Sequence, residues 1–185
     1  MDKIKVAFLD RDGVINQDLN YVFKPEDFHV LPGVREGLKI LISLGFKLII
    51  ITNQAGIGRG YYSEVEFENL CEYMRNLFVV DNINFEHIYY CPHHPDEGIG
   101  EYKALCTCRK PLPGMLLQAA KDYKIDFSNS ILIGDKISDI QAGLALNIGK
   151  TILVKSCNSN DYINNIIADY VCEDLLEAAH LISSV

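Results

Sequence analysis

Asp10 and Asp12 stand two residues apart at the end of the apolar run Val6-Ala7-Phe8-Leu9, and Gly13 follows them. On their own, Asp and Gly favour a turn where a strand leaves the core. Two further polar groups change that reading. Thr52 opens "TNQAGIGRG" behind a second apolar run, and Asp135 and Asp139 stand in "GDKISD" behind a later one. Asp139 alone could be a first-turn acid favoured by the helix dipole. Together, Asp10, Asp12, Asp135 and Asp139 would concentrate up to four negative charges, and a single carboxylate pair already resists double ionisation. A divalent cation resolves that conflict. Carboxylates with backbone carbonyls and water suit magnesium rather than a transition metal. The cationic counterpart is Arg109-Lys110 in "CTCRKPLPG", where Pro111 biases the Lys110 backbone toward an extended conformation. In isolation it would be a solvated surface pair. Beside a magnesium cluster, an ammonium and a guanidinium make a phosphate-binding constellation.

A second metal group lies in Cys91-x-His93 and Cys106-x-Cys108. Three thiolates and an imidazole form a closed tetrahedral set, as in structural zinc sites. The spacing is not that of a zinc finger, and His94 competes with His93 for the fourth place. Cys71, Cys157 and Cys172 read as packing residues. The Tyr61-Tyr62 pair reads as structural, and His29, His87 and His180 show no partner pattern.

These groups need a scaffold that brings strand ends together. Ile4–Leu9, Phe46–Ile51, His87–Tyr90, Ser130–Ile133 and Thr151–Val154 read as strands, the first two as continuous apolar runs expected of a sheet covered on both faces. Between them, helices are expected after Pro32-Gly33, over Glu64–Phe78 with Ser63 and Glu66 as a capping box, over Pro113–Tyr123 and over Ser138–Leu146, with a last one over Glu173–Ile182. Strands alternating with helices mean βαβ units and a doubly wound, Rossmann-like parallel α/β sheet. Ligands bind such sheets beyond the carboxyl ends of the strands, which is where the acids, Thr52 and the second apolar run end.

At 185 residues, 49% of them apolar and 23% charged, the chain reads as a single soluble domain. A net charge of −8 argues against a nucleic-acid surface. The N-terminus shows no apolar leader, and "LKILISLGFKLIIIT" is too short and too interrupted to span a bilayer. A cytoplasmic monomer without membrane or nucleic-acid partners is expected, and six cysteines in that compartment point to metal rather than disulfides.

"FLDRDGVIN", "ITNQAGIGRG", "YYCPHHPDEG", "CTCRKPLPGM" and "ILIGDKISDIQAG" together resemble the motifs of the haloacid dehalogenase superfamily. The resemblance runs from about residue 4 to 154. It is closest to the small zinc-containing branch of D-glycero-D-manno-heptose bisphosphate phosphatases and histidinol-phosphate phosphatases. It implies a haloacid dehalogenase-like fold without a large cap domain and a phosphatase with an aspartyl-phosphate intermediate. Removal of the 7-phosphate of a heptose 1,7-bisphosphate, in nucleotide-activated heptose synthesis for surface glycans, is the first expectation. Histidinol-phosphate hydrolysis is the alternative, and a phospho-accepting signalling module is the alternative of another class. By the same resemblance Asp10 is the nucleophile and Asp12 the general acid and base. Magnesium is held by Asp10, Asp135 and the backbone carbonyl of Asp12, and Lys110 and Thr52 hold the phosphoryl oxygens. Cys91, His93, Cys106 and Cys108 would bind the zinc and pin the loop carrying Arg109 and Lys110. Asp18, Leu19, Asn20, Tyr21, Thr52, Asn53, Gln54, Ala55, Arg109, Lys110 and Lys136 would line a small phosphorylated sugar. Val14, Ala55 and Gly58 stand where Thr, Ser and Ala are frequent in the family.

Overall fold

A computed structural model describes residues 3–155 and 168–184. Six strands, β1 (Val6–Leu9), β2 (Lys47–Asn53), β3 (Phe85–Cys91), β4 (Ile131–Gly134), β5 (Lys150–Val154) and β6 (Tyr170–Cys172), form one sheet in the order β3-β2-β1-β4-β5-β6. Every pairing is parallel. Among the described residues, six α-helices accompany them: α1 (Val34–Ser43), α2 (Ala55–Gly58), α3 (Glu64–Val79), α4 (Gly114–Asp122), α5 (Ile137–Leu144) and α6 (Leu175–Ser183).

The unbroken apolar strands follow from burial on both faces. Val6 and Phe8, with Ile49, Ile51, Leu132 and Leu153, pack toward Met115 and Leu116 of α4 and Ile140 of α5. Their neighbours in the pleat, Ala7 and Leu9, with Leu48, Ile50 and Ile133, pack toward Leu38 and Leu41 of α1, Phe67 and Met74 of α3 and Leu175 of α6. Each fully buried Leu, Ile or Phe contributes about 1.5–3 kcal/mol, so the sheet registers are set by the core before the strand ends acquire any chemistry. The capping box forms as expected: Glu66 N–H donates to Ser63 Oγ at 3.2 Å and Ser63 N–H to Glu66 Oε2 at 2.7 Å.

Strand order reverses between β1 and β4, so the crevice beyond their carboxyl ends is the switch point where such sheets bind ligands. The loop from residue 10 to 33 carries only a 3₁₀ turn at Pro25–Asp27 and isolated bridges, and no inserted domain.

Three features differ from the sequence reading. β2 runs on to Asn53, so Thr52 and Asn53 lie within the strand rather than in the loop behind it. α2 is a single turn inside "QAGIGRG", where the glycines hide any helical periodicity. β6 adds a sixth strand along β5, and three residues next to acids carry too little pattern to announce a strand. Cys157 lies outside the described residues. Cys71 and Cys172 pack against the core. Among the described residues, no helix is long and apolar enough to cross a membrane.

Candidate active site

β1 delivers Asp10 to the crevice with its N–H donated to the Ile133 carbonyl of β4 at 3.0 Å. β4 delivers Asp135 immediately past Gly134, and the first turn of α5 delivers Asp139. The carboxylates of Asp10, Asp135 and Asp139, all buried, offer oxygens lying within 4.8 Å of one another. Gly13 makes room for them. Its φ of +86° suits glycine, and a Cβ there would collide with the Asp135 carboxylate.

Two ammonium groups face the three acids. Lys110 Nζ is fully enclosed. It donates to the Ile51 carbonyl at 2.8 Å and pairs with Asp10 Oδ1 at 2.9 Å and Asp139 Oδ1 at 2.5 Å. Lys136 Nζ pairs with Asp18 Oδ2 at 3.2 Å and approaches Asp135 Oδ2 at 3.8 Å. Burial opposes charge on Asp10, but Lys110 and Lys136 hold its pKa below the ordinary carboxylate value. Asp135 fares differently: burial, then repulsion from Asp10, pushes it up to about 8. Burial and Asp10 raise Asp139 as well. Asp135 therefore favours its protonated form at neutral pH in the absence of a further cation. An all-oxygen, multiply anionic donor set of this size fits a hard divalent ion.

Asp12 lies outside this cluster, so the fourth charge anticipated from the sequence does not join the other three. Its Oδ1 accepts from Arg11 Nη2 at 2.8 Å, Arg11 Nε at 3.2 Å and Asn16 Nδ2 at 3.0 Å. Its Oδ2 accepts from Arg11 Nη2 at 2.8 Å and Gln54 Nε2 at 3.1 Å. Arg11 is 1% exposed, donates to the Val22 carbonyl at 2.7 Å and lies over the Phe67 ring. Sequence reasoning missed Arg11 and Asn16. The available signal was a buried-strand sequence that places a guanidinium between two acids.

The residues assigned to the sugar divide into two groups. Thr52, Asn53 and Gln54 have their side chains engaged within the protein. Asn53 Oδ1 accepts the Lys110 N–H at 3.0 Å and its Nδ2 donates to the Lys110 carbonyl at 3.1 Å, clamping the backbone that carries the ammonium. Gln54 Nε2 donates to Thr52 Oγ1 at 2.8 Å as well as to Asp12. Around the mouth, Leu19, Asn20, Tyr21 and Lys136 are exposed, while Asp18 and Ala55 are half-buried. Asn20 and Tyr21 both take positive φ, 60° and 63°, a turn braced by the Asp18 Oδ1 contact to Asn20 N–H at 3.0 Å. Arg109 Nη1 reaches the His93 carbonyl at 3.3 Å.

Cys91, at the end of β3, meets His93, Cys106 and Cys108 in a second cluster whose ligand atoms again lie within 4.8 Å of one another. Cys91 Sγ is 3.5 Å from Cys106 Sγ and 3.0 Å from Cys108 Sγ, and His93 Nδ1 is 3.5 Å from Cys108 Sγ. Three sulfurs and one imidazole nitrogen at such spacing suit one tetrahedral ion. His94 stands apart from the four: its Nδ1 accepts the N–H groups of Asp96 and Glu97 at 3.3 and 3.1 Å.

A family model described as HAD-hydrolase-like matches residues 107–178. The chain is 51% identical over 155 residues to the D-glycero-alpha-D-manno-heptose-1,7-bisphosphate 7-phosphatase of Photorhabdus laumondii, covering 84% of this chain and 85% of that one. It is 42% identical over 178 residues to the D-glycero-beta-D-manno-heptose-1,7-bisphosphate 7-phosphatase of Haemophilus influenzae, covering 96% of each. The crystal structure of D,D-heptose 1,7-bisphosphate phosphatase from B. bronchiseptica, complexed with magnesium and phosphate, matches with a TM-score of 0.84 at 30% identity, over 98% of this chain and 99% of that one. Likeness of this depth and length places the chain in the haloacid dehalogenase-like hydrolases, within the family of heptose-1,7-bisphosphate 7-phosphatases, as a phosphoric monoester hydrolase.

Proposed function

We propose that the chain removes the 7-phosphate of D-glycero-D-manno-heptose 1,7-bisphosphate through a phosphoenzyme on Asp10. The observation that carries this reading is the buried Asp10–Lys110 pair beside Asp135, at the switch point of a sheet shared with phosphatases of that substrate. Asp10 is held anionic without any base. Its carboxylate oxygen bonds to phosphorus as the ester bond to the sugar oxygen breaks, and Asp12 hands that oxygen a proton. Asp12 then takes a proton from water as the water oxygen displaces the Asp10 carboxylate from phosphorus, releasing inorganic phosphate. Splitting the displacement in two and shuttling the proton are separate contributions, the second worth roughly 10²–10⁴-fold. Lys110 and the Thr52 hydroxyl face the equatorial phosphoryl oxygens, where positioned charge supplies most of the acceleration in phosphoryl transfer. Magnesium would be held by Asp10, Asp135 and the Asp12 carbonyl, and when bound it supplies the charge neutralisation that lets one anion approach another.

Among the relatives, those acting on the alpha anomer are 51% and 48% identical over 84% and 82% of this chain, and those acting on the beta anomer are 42% and 41% identical over 96% and 94%. That difference favours the alpha anomer. The test is side-by-side kinetics on both anomers and on histidinol phosphate. The expected kcat/KM on the alpha bisphosphate exceeds that on histidinol phosphate by at least about 100-fold, within the roughly 10⁴-fold or more that a site built to hydrogen-bond substrate hydroxyls can reach. Equal, poor efficiency on all three would overturn the substrate and leave the phosphatase chemistry standing.

We further propose zinc for the Cys91, His93, Cys106 and Cys108 cluster, closed and away from substrate. Cys108 immediately precedes Arg109-Lys110, so the ion would act by fixing where those cations begin. Purified protein is expected to carry about one zinc per chain, the stoichiometry of a single four-ligand site. Strong chelation should remove activity that magnesium alone does not restore and that zinc with magnesium does. Full recovery on magnesium alone would remove zinc from the account.

A further inference from the structure

Tyr62 lies behind the crevice, stacked on Phe23 with centroids 4.8 Å apart and planes 8° from parallel. Packing alone would explain the ring. It does not explain the hydroxyl, which is pointed at one acceptor inside the protein: Tyr62 OH donates to Gln54 Oε1 at 2.6 Å. Burial raises the phenol's pKa well above its ordinary value, so the group stays protonated and remains a donor. Gly56 permits this approach, since a Cβ there would run into the Tyr62 ring.

Chemistry fixes which way the Gln54 amide faces. A carboxylate only accepts, so the amide nitrogen must face Asp12, and the phenol proton secures the carbonyl at the opposite end. Gln54 is 2% exposed, and its side chain is fully engaged: Oε1 by Tyr62, Nε2 by Asp12 Oδ2 at 3.1 Å and Thr52 Oγ1 at 2.8 Å. One nitrogen therefore spaces the proton-shuttling carboxylate from the hydroxyl that faces the phosphoryl group. Oδ1 of Asp12 is taken up by Arg11 and Asn16. Oδ2 also accepts from Arg11 Nη2, at 2.8 Å, and is the oxygen that the Gln54 amide ties to Thr52.

We propose that Tyr62 is a positioning residue for proton transfer, acting through the Gln54 amide to hold Asp12 Oδ2 in register with Thr52 and hence with the leaving oxygen. The proposal rests on the assignment of Asp12 as general acid. It differs from a packing role in what it affects. A sugar alkoxide needs a proton to leave, whereas p-nitrophenolate leaves without one. Misplacing the acid must therefore slow the first ester and spare the second.

The test compares kcat/KM on heptose 1,7-bisphosphate and on p-nitrophenyl phosphate for Tyr62→Phe, Gln54→Met and Asp12→Asn. Tyr62→Phe keeps the stacked ring and is expected to lose about tenfold on the sugar ester, part of what a general acid supplies, while changing less than about twofold on the aryl ester. Gln54→Met, close in volume and without the hydrogen bonds, also frees Thr52, so it should slow both esters and the sugar ester by the larger factor. It decides the matter if Tyr62→Phe folds poorly. Equal losses on both esters, or none on either, overturn the proposal. If Asp12→Asn itself loses equally on both, the underlying assignment of Asp12 falls. If Asp12→Asn is selective and the other two variants are not, only the role of Tyr62 and Gln54 falls.

Discussion

Asp10→Asn is expected to abolish turnover and phosphoenzyme formation while leaving the protein folded, and in the absence of magnesium less stable. Activity goes because the amide is no nucleophile toward phosphorus. Phosphate-monoester hydrolysis is slow enough to need enhancements of up to about 10²¹-fold, so losing the covalent step should cost at least about 10⁴-fold, the scale seen when a nucleophile is deleted. Stability should fall as well, for an electrostatic reason. Lys110 and Lys136 hold the Asp10 pKa below the ordinary carboxylate value, so its charge contributes to the fold at neutral pH and the neutral amide gives that contribution up. Relief of the repulsion that raises Asp135 and Asp139 offsets part of it. The expected loss is therefore smaller than the about 3–5 kcal/mol of a broken buried pair with nothing in return. Phosphate release, acid-quenched phosphoprotein and metal-free denaturation together check this. Wild-type hydrolysis by purified Asp10→Asn would falsify the assignment.

The position of this site was legible because strand ends are governed by the core. Once Val6–Leu9 and the later apolar runs are buried parallel strands, Asp10, Thr52 and Asp135 must emerge at one edge, whatever the loops do. The Cys/His cluster was legible for a similar reason: β3 ends at Cys91, and few partners satisfy so many thiols together. Side-chain direction was not legible. Asp12 was expected to add its charge to those of Asp10, Asp135 and Asp139, yet it turns to Arg11 and Asn16. That choice depends on a guanidinium sealed under Val22 and Phe67, partners that no local spacing announces. Asn53 and Gln54 carry side chains that suit a sugar equally well. What they hold instead are the Lys110 backbone, 57 positions away, and Asp12, 42 positions away. Of the residues facing outward around the mouth, Asn20 is held by its own turn, and Tyr21 by the ring of Tyr61 and the guanidinium of Arg59.

Lys110→Met separates what the ammonium does for the fold from what it does for the reaction. The side chains are close in length, so packing is largely kept, but Asp10 and Asp139 lose the cation at 2.9 and 2.5 Å. Removing one partner of a buried pair costs about 3–5 kcal/mol, because the other charge is left uncompensated. Asp139 is already raised by burial and by Asp10, and without Lys110 it should rise further. The sign follows from linkage. A carboxyl whose folded pKa lies above its unfolded value destabilises the fold progressively as pH climbs from the unfolded value, about 4, to the folded one. Metal-free Lys110→Met should therefore lose most stability in neutral and alkaline buffer and least in acid. Adding Asp139→Asn removes the stranded charge while an amide oxygen can still accept the Lys136 N–H that caps α5. The double variant should recover most of the lost stability at neutral pH. Activity should not follow, because nothing replaces the positive charge beside the phosphoryl oxygens, a loss worth roughly 10²–10³-fold or more. Denaturation across pH and single-turnover kinetics on the two variants read the two roles independently. If the double variant regained turnover along with stability, Lys110 would be only the counter-ion that keeps the acids buried, and the phosphoryl group would have to be held by other cations.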